Sequence, residues 1–330
     1  MTTVPRYRDD DLHQAAAAAI LAPSLHNSQP WRFRLTGGAI DVIADPSRQL
    51  AVADSSGWAV RIACGAATFN ARLALAAAGV PATVTVRPDR GSDVIARLTP
   101  GRPRPATATE QDLYRAVPRR HSNRRPFWPN PVPSDVRAGL IEAARAEGAW
   151  LDLLVGMTAL SGFAELAQSA ERVLLRDYDY QAEMSSWIHA DAAADGVPVH
   201  VGGPVTEPQD LLPQRPYGVH RRGPGRDFEP EPLVAVLGAI GDHPADQILA
   251  GQALQRVLLT ATAAGLASSM ISQPIEVPAA RDQLRRSLRR NGLPQMAIRI
   301  GYGDPGQAAP RRPLADVLTT TEEAEQEEVE

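Results

Sequence analysis

The sequence predicts an α+β protein in which one unit, with sheets flanked by helices, occurs twice in a single chain. Segments typical of helices alternate with short strand-like runs along its length. The order helix, strands, long helix, strands occurs once before a proline-rich stretch at residues 99–109 and, with insertions, again after it. Composition alone does not establish this repeat. A duplication is favoured by two short motifs, one in each half of the chain.

Bulk composition is typical of an ordinary soluble globular protein. The chain has 330 residues, 44% of them hydrophobic, and a net charge of −4. That length is enough for two domains or one large duplicated domain. No basic excess indicates a nucleic-acid partner, and no run of about eighteen apolar residues indicates a membrane span. The acidic start of the chain is unlike a signal peptide, so we expect a cytoplasmic protein.

Two residue types restrict the kinds of site that are possible. The sequence contains no lysine, so any phosphate site must use the planar guanidinium of arginine, which can bind bidentately. The single cysteine, Cys64, excludes an intrachain disulfide and a cysteine-cluster metal site. It lies in an apolar run and is expected to be a buried helical residue. The seven histidines show no metal-ligand spacing, so no metal site is expected.

The first repeat, residues 1–98, is expected to contain two helices and four strands. Acidic residues in the first turn indicate the helix at 9–21, and Gly79 is a plausible C-cap for the long helix at 56–79. The strands form two pairs, each joined by turn residues that include Gly37-Gly38 in the first pair. The expected strands are 31–35, 40–44, 82–87 and 93–98.

Residues 99–109 read as a linker, and the second repeat follows at 110–318. Ser134 is the expected N-cap of its second helix. The expected helices are 110–117, 134–147, 158–175, 245–265 and 279–290, and the expected strands are 149–155, 233–240, 267–271 and 295–301. Residues 176–231 are rich in Pro and Gly, and such a long irregular segment is typical of a functional loop or lid. The acidic tail at 319–330 is expected to be disordered.

The first motif is the basic segment at residues 119–125, Arg-Arg-His-Ser-Asn-Arg-Arg. Arg120, Ser122 and Arg124 alternate, so they would project to one side of an extended segment. Forked arginine donors with a hydroxyl between them suit a phosphate dianion. An exposed basic loop is the alternative, and the basic cluster by itself would favour that reading.

The second motif, residues 23–31, reads Pro-Ser-Leu-His-Asn-Ser-Gln-Pro-Trp and joins a helix end to a strand. Its prolines restrict the backbone, and Asn27 and Gln29 supply amide donors and acceptors. The alternative is an ordinary helix–turn–strand connection. Trp31 is expected to lie in the core on either interpretation.

Together the motifs resemble the two halves of the flavin site of the nitroreductase family. There, an Arg-x-Ser-x-Arg segment opens the chain, a Pro-Val precedes the second helix, and a Pro-Ser-x-x-Asn-x-Gln-Pro-Trp segment follows. Ordinary members are homodimers whose flavin lies between subunits. Here the order is reversed, as expected of two fused copies that each kept a different half of one site. The chain is similar to the Acg-like branch of fused twins in actinobacteria, and such a pseudodimer allows a monomer.

The resemblance implies an FMN site with contributions from four segments of this chain. The N-terminal motif lies against the flavin ring, and a segment after Gly265 presents its backbone to the flavin N5. The basic motif and an arginine near the C-terminus bind the phosphate. Arg311 is the best match for that arginine, and Arg312 is the second choice. The expected cofactor-binding residues are Pro23, Ser24, Leu25, Asn27, Arg120, His121, Ser122, Arg124, Ser272, Gln273 and Arg311.

The resemblance also implies an oxidoreductase that passes electrons from NAD(P)H through FMN to a nitro or quinone-type acceptor. The flavin performs that chemistry, so no catalytic side chain is assigned. The alternative is a protein that holds FMN without turnover because residues 176–231 cover the flavin. Loss of flavin altogether is disfavoured by the two retained motifs, and no Gly-x-Gly-x-x-Gly supports a Rossmann enzyme. The expected anchors of the lid are Tyr178, Tyr180, Trp187, Tyr217 and Phe228.

Overall fold

The computed structural model describes residues 7–36, 38–86, 93–189, 193–205, 207, 210–217, 229 and 231–320. Gly37, residues 87–92, Phe228 and the tail from 321 lie outside the described residues. The fold is α+β, as predicted, with a sheet and a long central helix in each half. Within the described ranges, no helix is both long and apolar enough to cross a membrane.

In its described residues, the first half contains two α-helices and four strands, as the sequence predicted. The helices are α1 (Asp9–Ala19) and α2 (Trp58–Ala77). The strands are β1 (Trp31–Thr36), β2 (Ala39–Ala44), β3 (Ala82–Val86) and β4 (Val94–Pro100). Three aspartates in the first turn of α1 complement the helix dipole.

The second half contains the predicted elements and several that the sequence did not reveal. Its helices are α3 (Ala108–Ala116), α4 (Ser134–Arg145), α5 (Met157–Leu174), α6 (Tyr178–Ser186), α7 (Pro244–Ala263), α8 (Gln273–Glu276) and α9 (Pro278–Leu288). Its strands are β5 (Trp150–Leu154), β6 (Ile188–His189), β7 (Val197–Pro198), β8 (Leu233–Ala239), β9 (Ala267–Ile271), β10 (Leu293–Gly301) and β11 (Leu318–Thr320).

Two sheets organise the molecule. The first has the order β11-β1-β2-β4-β3, in which β11 is parallel to β1 and the other pairs are antiparallel. The second has the order β5-β8-β10-β9 and is antiparallel throughout. Because β11 comes from the C-terminus, the chain returns to the first half after completing the second sheet.

The two halves are joined by the crossing of α2 and α7, whose backbones touch. A Cβ built on Gly65 would lie 2.2 Å from the carbonyl oxygen of Ile248, and one built on Gly251 would lie 2.2 Å from that of Ile62. Only glycine permits this approach. A buried hydrogen bond from Gln255 to Asn70, 2.8 Å long, crosses the same contact. The site described below therefore rests on one continuous scaffold.

Several details of the sequence prediction are corrected. β4 extends to Pro100 and α3 begins at Ala108, so the irregular linker is shorter than 99–109. Ser134 is the first residue of α4, Pro133 occupies the N-cap, and no side chain caps this helix. Residues 319 and 320 belong to β11 and are not part of a disordered tail.

The sequence also led to predictions about residues 176–231, called the lid segment here, and about the burial of single residues. Residues 176–231 are not wholly irregular, because they contain α6 and the short parallel pair β6 and β7. Tyr178 is 86% exposed and is not a buried anchor, whereas Tyr180 and Tyr217 are buried. Trp31 and Cys64 lie in the core, as predicted. The Cys64 thiol donates to the Pro30 carbonyl over 3.2 Å, and burial raises its pKa.

Candidate functional site

Two adjoining clefts lie between the halves, and together their walls include all eleven residues expected to bind a cofactor. The smaller cleft, of about 460 Å³, is called the arginine cleft after Arg120 and Arg311. The larger, of about 830 Å³, is called the apolar cleft after Trp58, Ile62, Leu254 and Met296. The arginine cleft is lined by Pro23, Ser24, Asn27, Arg120, His121, Ser122, Arg124 and Arg311, and the apolar cleft by Pro23, Ser24, Leu25, Arg124, Ser272 and Gln273.

The loop after α1 supplies one wall of both clefts and has an unusual backbone. His26, Asn27 and Gln29 have φ values of 50°, 56° and 52°, in the left-handed region that residues other than glycine seldom adopt. Ser24 fixes one end of the loop, because its hydroxyl accepts a hydrogen bond of 2.9 Å from the Gln29 amide. Such local strain persists where surrounding contacts over-determine it, which is common at binding sites.

The basic motif forms the opposite wall and is fixed to the edge of the second sheet. Ser122 forms a parallel bridge with Ser268, and the Asn123 amide donates to the Ser268 carbonyl over 2.8 Å. The Asn123 side chain also donates to the Asp304 carbonyl over 2.6 Å. Asn123 was not singled out from the sequence, although its place inside the motif is a usable signal. These bonds hold Arg120 and His121 toward the arginine cleft.

Arg120 is a buried cation with little compensation. Its side chain is only 4% exposed, and among the described residues its one hydrogen bond runs from Nη2 to the Leu21 carbonyl over 3.2 Å. No carboxylate in the described part of the chain pairs with it, and Nε has no partner there. Burial, with the nearby Arg311 charge, lowers the pKa of Arg120 to about 9. An unpaired buried cation is costly unless an anion accompanies it.

Arg311 is the second buried cation of this cleft. It donates to the Asn27 side-chain oxygen over 2.8 Å and to backbone carbonyls, including that of Ala22 over 3.2 Å. No described carboxylate pairs with it, its Nε has no partner in the described ranges, and burial lowers its pKa to about 10. Arg312, the second choice, instead lies 3.7 Å from the Asp45 carboxylate.

Asn27 lines the arginine cleft, but its amide is already engaged within the protein. Its oxygen accepts from Arg311, and its nitrogen donates to the carbonyls of Gly196 and Pro310 over 2.9 and 3.0 Å. Asn27 therefore positions Arg311 and joins the loop to the lid segment and the C-terminal segment. A role in orienting Arg311 fits these contacts better than direct donation to a ligand.

Arg124 lies where the two clefts meet. Its guanidinium lies 4.7 Å from the ring centre of Tyr217 and donates to the Val201 carbonyl over 3.3 Å. Gly203 packs against it so closely that an added Cβ would lie 2.6 Å from the Arg124 Cβ. Burial lowers the pKa of Arg124, and no described carboxylate compensates it. Arg124 thus connects the basic motif with the lid segment.

Ser272 and Gln273 lie at the start of α8, on the wall of the apolar cleft. The Ser272 hydroxyl accepts a hydrogen bond of 3.0 Å from Arg215 of the lid segment. The Gln273 side chain hydrogen-bonds to Glu171, whose pKa is raised mainly by burial. Both residues are therefore held in place by neighbouring side chains.

The lid segment contributes described side chains to the walls of both clefts, and of these the sequence singled out only Tyr217. Residues 212–215 and Tyr217 line the apolar cleft, and Val197 and Val201 line the arginine cleft. Arg215 forms a buried ion pair with Glu276, which also accepts from the Tyr180 hydroxyl over 3.2 Å. The sequence around Arg215 carries no signal of this partner, which is 61 residues away along the chain.

The outer part of the lid segment docks on the strained loop. Gln29 donates to the Ala194 carbonyl over 2.9 Å, and Arg48 forms an ion pair with Asp195. Arg48 also donates to the Ser28 carbonyl over 2.6 Å and lies 5.4 Å from the Trp187 ring centre. Trp187 is thus a lid contact, as expected from the sequence.

Comparison with known proteins identifies the family. The profile of the nitroreductase family matches residues 117–302, more than half of the chain. A protein of Mycobacterium tuberculosis strain H37Rv, named provisionally as the NAD(P)H nitroreductase Rv3131, is 32% identical over 317 residues, which cover 92% of this chain and 90% of that protein. The similarly named acg of the same strain is 29% identical over 94% of this chain and 95% of its own length.

Among solved structures, a nitroreductase with bound FMN from Desulfitobacterium hafniense shares 13% identity and a TM-score of 0.39, covering 63% of this chain and 97% of that chain. The family profile includes the basic motif, and the two mycobacterial relatives match 92% and 94% of this chain. Both findings agree with the resemblance seen in the motifs. This chain belongs to the nitroreductase family.

Proposed function

We propose that the chain binds one FMN between its halves, with the phosphate in the arginine cleft and the ring system in the apolar cleft. The observation that carries this proposal is the pair of buried guanidiniums, Arg120 and Arg311, without a described carboxylate partner. A phosphate monoester carries a charge of about −1.5 to −2 and accepts forked hydrogen bonds. It would supply the missing anion.

The remaining walls suit the rest of such a cofactor. The hydroxyls of Ser24 and Ser122 and the half-buried His121 offer small polar groups beside the arginines. Burial and the charges of Arg120 and Arg311 lower the pKa of His121, so the neutral imidazole is favoured there. Trp58, Ile62 and Leu254 supply an apolar surface for a flat ring system. The chain's role is to bind, orient and exclude water.

We further propose that the protein is an oxidoreductase of the NAD(P)H nitroreductase type. Bound FMN would supply hydride chemistry, accepting electrons from NAD(P)H and passing them to a nitro or quinone-type acceptor. Membership of the family and the names of the mycobacterial relatives support this activity. The mainly apolar wall of the larger cleft favours an aromatic acceptor.

A second candidate function has a specific observation in its favour. The lid segment lines both clefts and is fixed by the buried Arg215–Glu276 pair and by the docking of Asn27 and Gln29. If this cover stays closed, the protein holds or stores FMN without turnover. The two functions share the cofactor and differ in whether the lid segment admits an acceptor.

A single spectroscopic experiment tests the proposal. The purified protein should be yellow with a flavin spectrum, and addition of NADPH or NADH without oxygen should bleach it if the oxidoreductase function is correct. A flavin spectrum that neither nucleotide changes would favour the covered, non-catalytic protein. A colourless protein that takes up no added FMN would contradict both functions.

A further inference from the structure

The apolar cleft contains one pair of side chains suited to moving protons. Its described lining consists of apolar, amide, hydroxyl and arginine side chains, together with His26 and Tyr217. Histidine and tyrosine titrate near 6.5 and 10 in water, whereas arginine stays charged. Reduction of a quinone or a nitro group consumes protons as well as electrons. A covered cleft therefore needs a proton source among its own walls.

His26 and Tyr217 are in direct contact. The Tyr217 hydroxyl and Nδ1 of His26 are 2.7 Å apart, and the rings meet edge to face with centres 5.7 Å apart. The side chains are 3% and 4% exposed. His26 belongs to the loop that Ser24, Asn27 and Gln29 hold in place, so its left-handed backbone fixes the imidazole against the lid.

The hydrogen-bond partners indicate the tautomer of His26. The Tyr217 hydroxyl has no other acceptor among the described residues, and when it donates to Nδ1 the ring proton of a neutral imidazole lies on Nε2. Nε2 has no partner in the described part of the protein. A buried donor without an acceptor costs about 1–3 kcal/mol, which a ligand oxygen would offset.

We propose that Tyr217 and His26 form a proton relay that serves the oxygen of a quinone-type acceptor in the apolar cleft. This inference rests on the proposed oxidoreductase function, with a reduced nicotinamide as the source of the hydride. His26 was not assigned a cofactor role from the motif, where it occupies a variable position. Tyr217 comes from the lid segment, so the relay is complete only when the lid covers the cleft.

The step balances in atoms and charge. The acceptor takes up one hydride, which carries two electrons, and one proton. The Nε2–H bond of His26 breaks as its proton goes to the acceptor oxygen, and the O–H bond of Tyr217 breaks as its proton goes to Nδ1. The acceptor leaves as a hydroquinone, and the imidazole is neutral with its proton now on Nδ1. Nε2 then takes up a proton from water as Nδ1 returns its proton to the tyrosinate, which restores the starting pair.

The charges around the pair favour this route over one through imidazolium. Burial, Arg215 and Arg124 all lower the pKa of His26, so a doubly protonated ring is disfavoured. Burial raises the pKa of Tyr217, with smaller contributions from Glu276 and Glu171, but Arg215 and Arg124 act in the opposite direction. The guanidinium of Arg124, 4.7 Å from the Tyr217 ring centre, would stabilise the transient tyrosinate.

The test separates the two half-reactions by rapid mixing of the FMN-loaded protein. Tyr217→Phe keeps the ring against Arg124 and removes only the hydroxyl, while His26→Asn keeps a residue that tolerates positive φ. Both variants should be reduced by NAD(P)H at the wild-type rate. Their reoxidation by a quinone should slow by roughly 100-fold or more, the usual contribution of a positioned proton donor. The solvent deuterium isotope effect on wild-type reoxidation should be altered or lost in Tyr217→Phe.

Tyr7→Phe is the matched control, because it removes a buried tyrosine hydroxyl that lies outside the lid segment and outside the lining of both clefts. It should reoxidise at the wild-type rate. An independent readout is nitrogen NMR of the histidines: the signal lost in His26→Asn should report the Nε2–H tautomer, and Tyr217→Phe should change it. Wild-type reoxidation rates in Tyr217→Phe and His26→Asn would overturn the relay alone. Absence of any reoxidation by quinones in the wild type would overturn the relay, and absence of reoxidation by nitroaromatics as well would overturn the oxidoreductase function.

Discussion

Replacing Arg120 by alanine should have opposite effects on FMN binding and on the stability of the flavin-free protein. Removal of one charge-assisted partner from a buried phosphate costs about 2–5 kcal/mol, which corresponds to roughly 30-fold to a few thousand-fold in Kd. Without FMN, the guanidinium is buried with one hydrogen bond and a pKa lowered to about 9, so its charge disfavours folding. Each unit by which folding lowers this pKa corresponds to about 1.4 kcal/mol of lost folding stability. The flavin-free variant should therefore be more stable than the flavin-free wild type, by this gain minus the cost of the cavity that the smaller side chain leaves.

The assay is titration of flavin-free protein with FMN and with riboflavin, which lacks the phosphate, alongside thermal unfolding. Arg120→Ala should lose most of the preference for FMN over riboflavin. Arg119→Ala is the matched control, because Arg119 is exposed and its Nε donates only to the Arg115 carbonyl over 3.1 Å. Equal losses of FMN and riboflavin affinity in Arg120→Ala, or equal FMN losses in both variants, would refute the phosphate assignment.

Three further predictions concern the scaffold and the lid. Gly251→Val should destabilise the protein by at least about 3 kcal/mol in denaturant unfolding, because its Cβ would overlap the α2 backbone. Gly162→Ala is the control: it lies in α5 with open space around it and should be neutral or slightly stabilising in the same measurement. Arg215→Met leaves the Glu276 side chain, 1% exposed, as an unpaired buried charge. The variant should lose about 3–5 kcal/mol of unfolding free energy and become more sensitive to protease in the lid segment. Adding Glu276→Leu to Arg215→Met should recover most of the loss. Asp54 has a pKa raised to about 6 by burial, so folding stability should fall as pH rises from about 4 to 6, a trend that unfolding of Asp54→Asn at several pH values should lack.

The local patterns of the chain were sufficient to predict most of the fold. The alternating pattern in β1 predicted a strand, and the long apolar runs of α2 and α7 predicted helices. Glycines and prolines predicted where these elements end to within a few residues. β11 was missed because three residues before an acidic tail carry no strand pattern, and its pairing with β1 depends on the path of the whole chain. α6 was missed because it lies in a proline- and glycine-rich region and ends without a clear cap.

The positions of the site residues could be predicted where a sequence motif indicates the chemistry. They could not be predicted where they depend on contacts between distant parts of the chain. The basic motif, the 23–31 loop and two C-terminal segments together led to eleven residues that the structure places on the two clefts, and cofactor binding by them stays a prediction. The engagement of Asn27 by Arg311, Gly196 and Pro310 could not be foreseen, because those partners lie 169 or more residues away. Arg215 and the contact of His26 with Tyr217 likewise arise only when the lid segment folds over the cleft.

The stoichiometry and identity of the released flavin test the central claim most directly. Flavin freed by heat from saturated protein should be FMN, at one equivalent per chain, because the described residues of both halves form one arginine cleft. The matched Arg120→Ala protein should release much less after the same wash. A ratio near two per chain, or FAD in place of FMN, would contradict a single FMN site shared between the two halves.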